Sequence, residues 1–167
     1  MENLFLLLAT SLVFRISKPK FKRFLLGATG CSTYLVSGNN TVHFKHTKDG
    51  DRVYFYDQAL NSVTFGFICV QMKEVFTVRQ AENILVQYIN RVRKPFQITV
   101  NIAMEIEKKG NIITISDYWQ DENGFDWKVK GYTNGKTVAV LYVKNISNSM
   151  VEEHDRFLNG FKFSNIS

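Results

Sequence analysis

The stretch ITISDYWQDENGFDWKVKGYTNGKTVAVLYV, residues 113–143, decides the fold class of this chain. Two Asn-Gly pairs, at 123–124 and 134–135, separate its apolar and aromatic runs. Asn-Gly between β-rich runs is the strongest short-range signal for a hairpin. Just upstream, residues 97–107 alternate apolar and polar side chains, as a half-buried strand does. Together these segments predict a four-stranded antiparallel meander over residues 97–144.

The first Asn-Gly pair also predicts a register. If Asn123 and Gly124 are the two central residues of the turn, every cross-strand pair is fixed. The predicted pairs are Asp121 with Asp126, Trp119 with Lys128, Tyr118 with Val129, and Asp117 with Lys130. This register implies a cation–π contact at Trp119, an ion pair at Asp117, and two like charges facing each other at the tip.

In this register both faces of the meander are apolar over much of their area. One face contains Ile98, Val100, Ile102, Ile106, Ile113, Ile115, Trp119, Ala139 and Leu141. The other contains Tyr118, Phe125, Trp127, Val129, Val138, Val140 and Tyr142. A sheet that is apolar on both sides has to be covered on both, and two helices are available for this.

The first of these helices is predicted over residues 78–94, where Thr77 and Gln80 form a capping-box pattern. The second is predicted over 150–159, after a similar pattern at Ser149 and Glu152. Strand-like segments at 32–36, 41–46, 52–57 and 63–72 precede them, and Phe161–Phe163 alternates as a last strand. The predicted class is therefore α+β: an antiparallel sheet, made of the C-terminal meander and N-terminal strands, flanked by two helices.

The order of these elements resembles the PsbP-like fold. The segments that carry the resemblance are the meander at 113–143 and the terminal FLNGFKF at 157–163. The resemblance covers roughly residues 24–164 and implies a central sheet flanked by helices. It implies the role of an accessory protein on a larger complex or of a small binding module. It contains no shared site motif, so it assigns no functional residue.

The N-terminus predicts a leader. Residues 4–14 form an apolar run of the length of a signal-peptide core, too short to span a membrane. An acid, Glu2, precedes this run, and the basic residues follow it. We predict a leader at 1–23 and a single domain at 24–167. Export to the periplasm or cell exterior is the first hypothesis; weak membrane association through residues 1–23 or a cytoplasmic location are the alternatives.

The two cysteines, Cys31 and Cys69, have no metal-ligand spacing. Two buried free thiols are the expectation, with a disulfide between them as an alternative in an exported protein. Residues 25–30 loosely resemble a lipobox, so a lipid anchor on Cys31 is a further alternative.

The charge distribution argues against nucleic-acid binding. The net charge is +6, but residues 1–30 contribute +4 of it. Phosphate-driven binding needs basic residues clustered on a folded surface.

The aromatic and acidic hairpin is the candidate site. We predict ligand or partner binding by Tyr118, Trp119, Asp121, Asp126 and Trp127, and we expect that alanine at either tryptophan weakens capture without unfolding the chain. The spacing of the acids lacks the order of a calcium loop, so no metal or cofactor is expected.

The histidines do not form a site either. His43 and His46 would point to opposite faces of a strand, and His154, between two acids, is expected to be solvated. No nucleophile or phosphate-loop motif is present. The first functional hypothesis is an exported, non-catalytic domain that binds a partner protein or a small ligand. The alternative is a hydrolase or metal-dependent enzyme that uses Asp117, Asp121 and Asp126.

Overall fold

A computed structural model describes residues 18–38 and 40–164, and only the backbone of 103 and 104. The predicted apolar run at 4–14 lies outside the described residues. The strands are β1 (Phe21–Leu25), β2 (Ser32–Val36), β3 (His43–His46), β4 (Arg52–Leu60), β5 (Val63–Gln71), β6 (Ile98–Lys109), β7 (Ile112–Asp121), β8 (Asp126–Thr133) and β9 (Thr137–Lys144); the helices are α1 (Val78–Arg93) and α2 (Val151–Leu158).

The main sheet has seven strands, all antiparallel, in the order β3-β4-β5-β9-β8-β7-β6. The α+β class and the meander β6–β9 are thereby confirmed. Sequence alone did not show that β9 pairs with β5, which joins the meander to the N-terminal strands in one sheet. β1 and β2 form a separate two-stranded ribbon.

Helix α1 packs on one face of the sheet, as its sequence predicts. Gln80 N–H donates to the Thr77 hydroxyl over 3.4 Å, and Thr77 N–H donates to the Gln80 side chain over 3.0 Å. This capping box satisfies two free donors of the first turn. Leu85 and Ile89 pack above Gly131, where an added Cβ would lie 2.8 Å from Ile89 Cδ1. The glycine therefore lets the helix approach the sheet closely.

The opposite face is covered by α2 and the ribbon. Phe157 and Leu158 of α2 pack there with alternate residues of β9, Ala139 and Leu141. The capping box predicted at Ser149 and Glu152 is wrong. A 3₁₀ turn (Asn148–Met150) precedes α2 instead, and Ser147 accepts a hydrogen bond from the backbone of Ser149.

The predicted register of the central hairpin is wrong by one residue. Trp119 lies opposite Trp127, not Lys128, and the other observed pairs are Tyr118 with Lys128, Asp117 with Val129, Ser116 with Lys130, and Gln120 with Asp126. Of the turn pair only Gly124 has a positive φ, 79°, whereas a two-residue Asn-Gly turn needs it at both positions. The loop instead has three residues, 122–124, closed by Asp121 N–H donating to the Phe125 carbonyl.

This shift changes the composition of both faces, because a one-residue slip moves each side chain to the other side. Trp127, Val129, Val138, Val140 and Tyr142 lie on the α1 face with Ile113, Ile115 and Trp119. The prediction that both faces are covered holds, but the edge strand β6 was misjudged. Its Val100, Ile102 and Ile106 are exposed, and the strand contains two register shifts.

His154 is fully buried, so the expectation that it is solvated is wrong. It lies on the inner side of α2, with its ring centroid 6.0 Å from that of Phe65. Neither ring nitrogen has a hydrogen-bond partner within the described part of the chain. Burial, and then the charge of Lys128, lower the pKa of the His154 imidazole below its ordinary 6.5, against the opposing effect of Asp155 and Glu153.

We predict that His154 makes the fold less stable in mild acid. In the unfolded chain the His154 imidazole becomes protonated near pH 6.5, whereas in the folded chain it becomes protonated only at lower pH. The free energy of unfolding therefore falls as the pH drops below 6.5, by up to about 1.4 kcal/mol per pH unit. Urea titrations between pH 7.5 and 5 measure this slope. His154→Leu should flatten it, whereas His43→Gln, at an exposed position, should leave it unchanged. An unaltered slope in His154→Leu would contradict the assignment.

The N-terminal part of the described chain belongs to the fold. The boundary predicted between residues 23 and 24 falls inside β1, where Phe21 packs 5.6 Å from Phe65 between ring centroids. Cys31 and Cys69 are both buried and free, so the structure contains no disulfide between them. The role of residues 1–23 as a leader and lipidation of Cys31 stay predictions. No helix among the described residues is long and apolar enough to span a membrane.

Candidate functional site

The five residues predicted as a site are not brought together as one surface. Trp119 and Trp127 are buried in the core shared with α1, at 0% and 3% exposure, and Asp121 is buried at the base of the hairpin loop, at 3%. Tyr118 lies on the opposite face and is exposed. Asp126 is also exposed and accepts a hydrogen bond from the Gln120 amide over 3.1 Å. The hairpin therefore divides into a buried part and an exposed part on different faces.

The first buried acid, Asp117, joins the hairpin to α1. Its Oδ2 accepts from Arg93 Nη2 and from Trp119 Nε1, both over 2.6 Å, and its Oδ1 accepts from the Tyr118 backbone over 2.9 Å. The Arg93 guanidinium also lies 5.5 Å from the Trp119 ring centroid. The ion pair predicted between Asp117 and Lys130 is therefore wrong, because Lys130 donates to Asn159 instead.

The second buried acid, Asp121, organises the hairpin loop. Its Oδ1 accepts from the backbone N–H groups of Asn123 and Phe125, each over 3.0 Å. Its Oδ2 accepts from Trp127 Nε1 and Lys144 Nζ, each over 3.1 Å. Burial alone would raise the pKa of the Asp121 carboxyl, but these four donors outweigh it and hold that pKa below its ordinary value.

The two acids thus have matching structural roles. Each receives one indole N–H and one side-chain cation, so a buried carboxylate, a buried indole and a cation satisfy one another. Lys144 Nζ also lies 5.1 Å from the Trp127 ring centroid, which replaces the cation–π contact predicted between Trp119 and Lys128. Within residues 18–38 and 40–164, no three His, Cys, Asp or Glu side chains are grouped so that they could hold a metal ion.

A different feature has the form of a ligand site. A cavity of about 380 Å³, hereafter the aromatic cavity, lies between the end of α1 and the strands β3–β5. It is lined by Lys45, Val53, Phe55, Tyr56, Asp57, Ile68, Pro95, Phe96 and Tyr142. Ligand pockets in proteins are typically about 300–1,000 Å³, mostly apolar, with a few polar groups.

The fold explains why this cavity is open. Helix α1 covers β7, β8 and β9 but stops at Arg93, before it reaches β4. Phe96, just after Pro95, then packs against Tyr142 and Trp127, with ring centroids 4.9 and 5.0 Å apart. On the α1-facing side of β4, Val53 is still buried in the core shared with α1, but Phe55, two residues further on, is 37% exposed.

Tyr142 forms the innermost wall of the aromatic cavity. Its ring lies across Gly66 of β5, where an added Cβ would be 2.2 Å from Tyr142 Cζ. Burial, and then the nearby Asp57 carboxylate, raise the pKa of the Tyr142 phenol above its ordinary value. The phenol therefore stays protonated near neutral pH and can donate a hydrogen bond.

A second cavity, of about 500 Å³, lies beside the middle and C-terminal half of α1. Half of its lining residues are charged: Asp49, Asp51, Lys73, Glu74 and Arg91. Ile84 and Tyr88 of α1 form its apolar side. It is larger than the aromatic cavity but offers less apolar wall to a ligand, so the aromatic cavity is the better candidate.

Sequence reasoning missed the aromatic cavity because its walls come from distant segments. Phe55, Ile68, Phe96 and Tyr142 belong to β4, β5, the loop after α1, and β9, and only the β5–β9 pairing brings them together. One usable signal was present. Phe96 follows Pro95, just beyond the predicted end of the helix. Its aromatic ring therefore cannot belong to the apolar face of the helix and has to pack elsewhere.

No protein-family model matches the sequence, and no curated protein matches it.

Proposed function

We propose that this chain is a non-catalytic binding domain that holds a small apolar ligand in the aromatic cavity. The observation that carries the proposal is the combination of a preformed volume of about 380 Å³ with walls made by Phe55, Ile68, Phe96 and Tyr142. Rigid aromatic walls already held by packing reduce the ordering that binding would otherwise require.

The alternative of an enzyme that uses Asp117, Asp121 and Asp126 receives less support. Asp117 and Asp121 are each held by a cation and an indole, an arrangement that stabilises a fixed carboxylate. Asp126 points away from both, on the exposed side of the hairpin. Export of the protein and the resemblance to PsbP-like proteins stay predictions beside this proposal.

A fluorescence titration with N-phenyl-1-naphthylamine tests the proposal. This neutral aromatic probe brightens in apolar surroundings. We expect saturable binding to the wild type and roughly tenfold weaker binding to Phe55→Ala, which removes one wall of the cavity.

Phe44→Ala is the matched control. Phe44 is also an exposed aromatic residue of the same hairpin, but it packs with Tyr54 on the opposite face. Its replacement should leave probe affinity within twofold of the wild type. No saturable binding, or equal weakening by both variants, would contradict the proposed function.

A further inference from the structure

The aromatic cavity has opposite charges at its two ends. Lys45 of β3 lies opposite Val53 of β4, and Asp57 lies four residues further along β4. At about 3.4 Å per residue, the two charged positions are separated by about 14 Å along the strand. Phe55 lies midway between them on the same side of the sheet.

Neither charge is neutralised by an ion pair among the residues that the structure describes. Lys45 Nζ lies 5.5 Å from the Phe55 ring centroid, over the cavity wall. Asp51, which directly precedes β4, accepts a hydrogen bond from the Lys73 backbone over 2.9 Å. Lys45 is thus a cation in the cavity lining that forms no ion pair with a carboxylate of residues 18–38 or 40–164.

We propose that the ligand of the aromatic cavity is an amphipathic organic anion, with its acidic head group at Lys45 and its apolar body along Phe55 and Phe96. This inference rests on the proposed function. The Lys45 ammonium attracts the head group, and the Asp57 carboxylate repels it from the other end. The two charges together give the ligand one orientation.

The test compares two matched probes, N-phenyl-1-naphthylamine and 8-anilinonaphthalene-1-sulfonate, which share the same aromatic body and differ by one sulfonate. In wild-type protein at 0.1 M salt or less, the sulfonate should bind roughly threefold tighter than the neutral probe. Raising the salt to about 1 M should reduce this preference, because the charges are then screened over roughly 3 Å.

Three variants locate the effect. Lys45→Gln should bring the affinity ratio of the two probes to one or below, because the Asp57 repulsion of the sulfonate remains. Asp57→Asn should raise the ratio by about twofold, because it removes the repulsion. Lys48→Gln, at an exposed lysine in the turn of the same hairpin, is the control and should keep the wild-type ratio. Circular dichroism confirms that each variant is folded before its ratio is compared.

The outcomes separate this inference from the proposed function. A wild-type ratio near one, with both probes weakened by Phe55→Ala, would overturn the anion preference and leave the binding function standing. A preference that survives in Lys45→Gln would also overturn it. Binding of neither probe, or binding insensitive to Phe55→Ala, would contradict the proposed function itself.

Discussion

Replacing Trp119 with alanine should destabilise the fold by about 3–5 kcal/mol. Trp119 is among the largest fully buried side chains, packed between Trp127 and the Arg93 guanidinium. Its removal leaves a cavity and breaks the hydrogen bond of 2.6 Å that the indole N–H donates to Asp117. Large-to-small changes of this kind cost about 3–5 kcal/mol for tryptophan.

Urea denaturation followed by circular dichroism measures this loss. Tyr118→Ala is the control, because Tyr118 directly precedes Trp119 in the same strand but is 43% exposed on the other face. It should change the free energy of unfolding by about 0.5 kcal/mol or less. The expected loss in Trp119→Ala would correct the sequence-based expectation that alanine at Trp119 leaves folding intact. A loss below about 1 kcal/mol in Trp119→Ala would contradict its burial.

Asp117→Ala should cost a similar amount, about 3–5 kcal/mol. Asp117 is 1% exposed, and its loss leaves the Arg93 charge and the Trp119 indole N–H without their acceptor. Removing one partner of a buried ion pair is expensive because the other charge remains desolvated. Asp126→Ala, at the exposed acid of the same hairpin, should change stability by about 0.5 kcal/mol or less.

A double-mutant cycle shows whether the loss comes from the ion pair. The variant Asp117→Ala/Arg93→Leu removes both charges and should be less destabilised than the sum of its single variants. Additive losses in the free energy of unfolding would show that Asp117 and Arg93 act independently, and would contradict the paired arrangement.

Sequence reasoning located β2–β9 and α1 well because local signals determine them. It missed β1, and the last strand predicted at Phe161–Phe163 is only a single bridge between Lys162 and Ser32. The alternation at 97–107 gave β6, and Thr77 with Gln80 gave the start of α1. It placed the hairpin in the wrong register because a side chain, that of Asp121, determines the length of the loop. The Asp121 carboxylate accepts from the Asn123 and Phe125 backbones and stabilises a three-residue loop, which a rule based on the Asn-Gly pair does not consider.

The error at His154 has a different cause. Its two acidic sequence neighbours suggested exposure, but the spacing of residues 154, 157 and 158 puts His154 on the same helical stripe as Phe157 and Leu158. That periodicity was readable in the sequence. The aromatic cavity was not, because it depends on which strands pair across the sheet and on where α1 ends.

The most direct test of binding in the aromatic cavity is a two-dimensional ¹H–¹⁵N NMR titration of the wild-type protein with N-phenyl-1-naphthylamine. We expect the largest chemical-shift changes at the amides of Phe55, Ile68, Phe96 and Tyr142, while the hairpin loop at 122–125 is unaffected. Changes concentrated at Tyr118 and residues 122–126, with the aromatic cavity unaffected, would contradict this expectation and return the binding site to the hairpin.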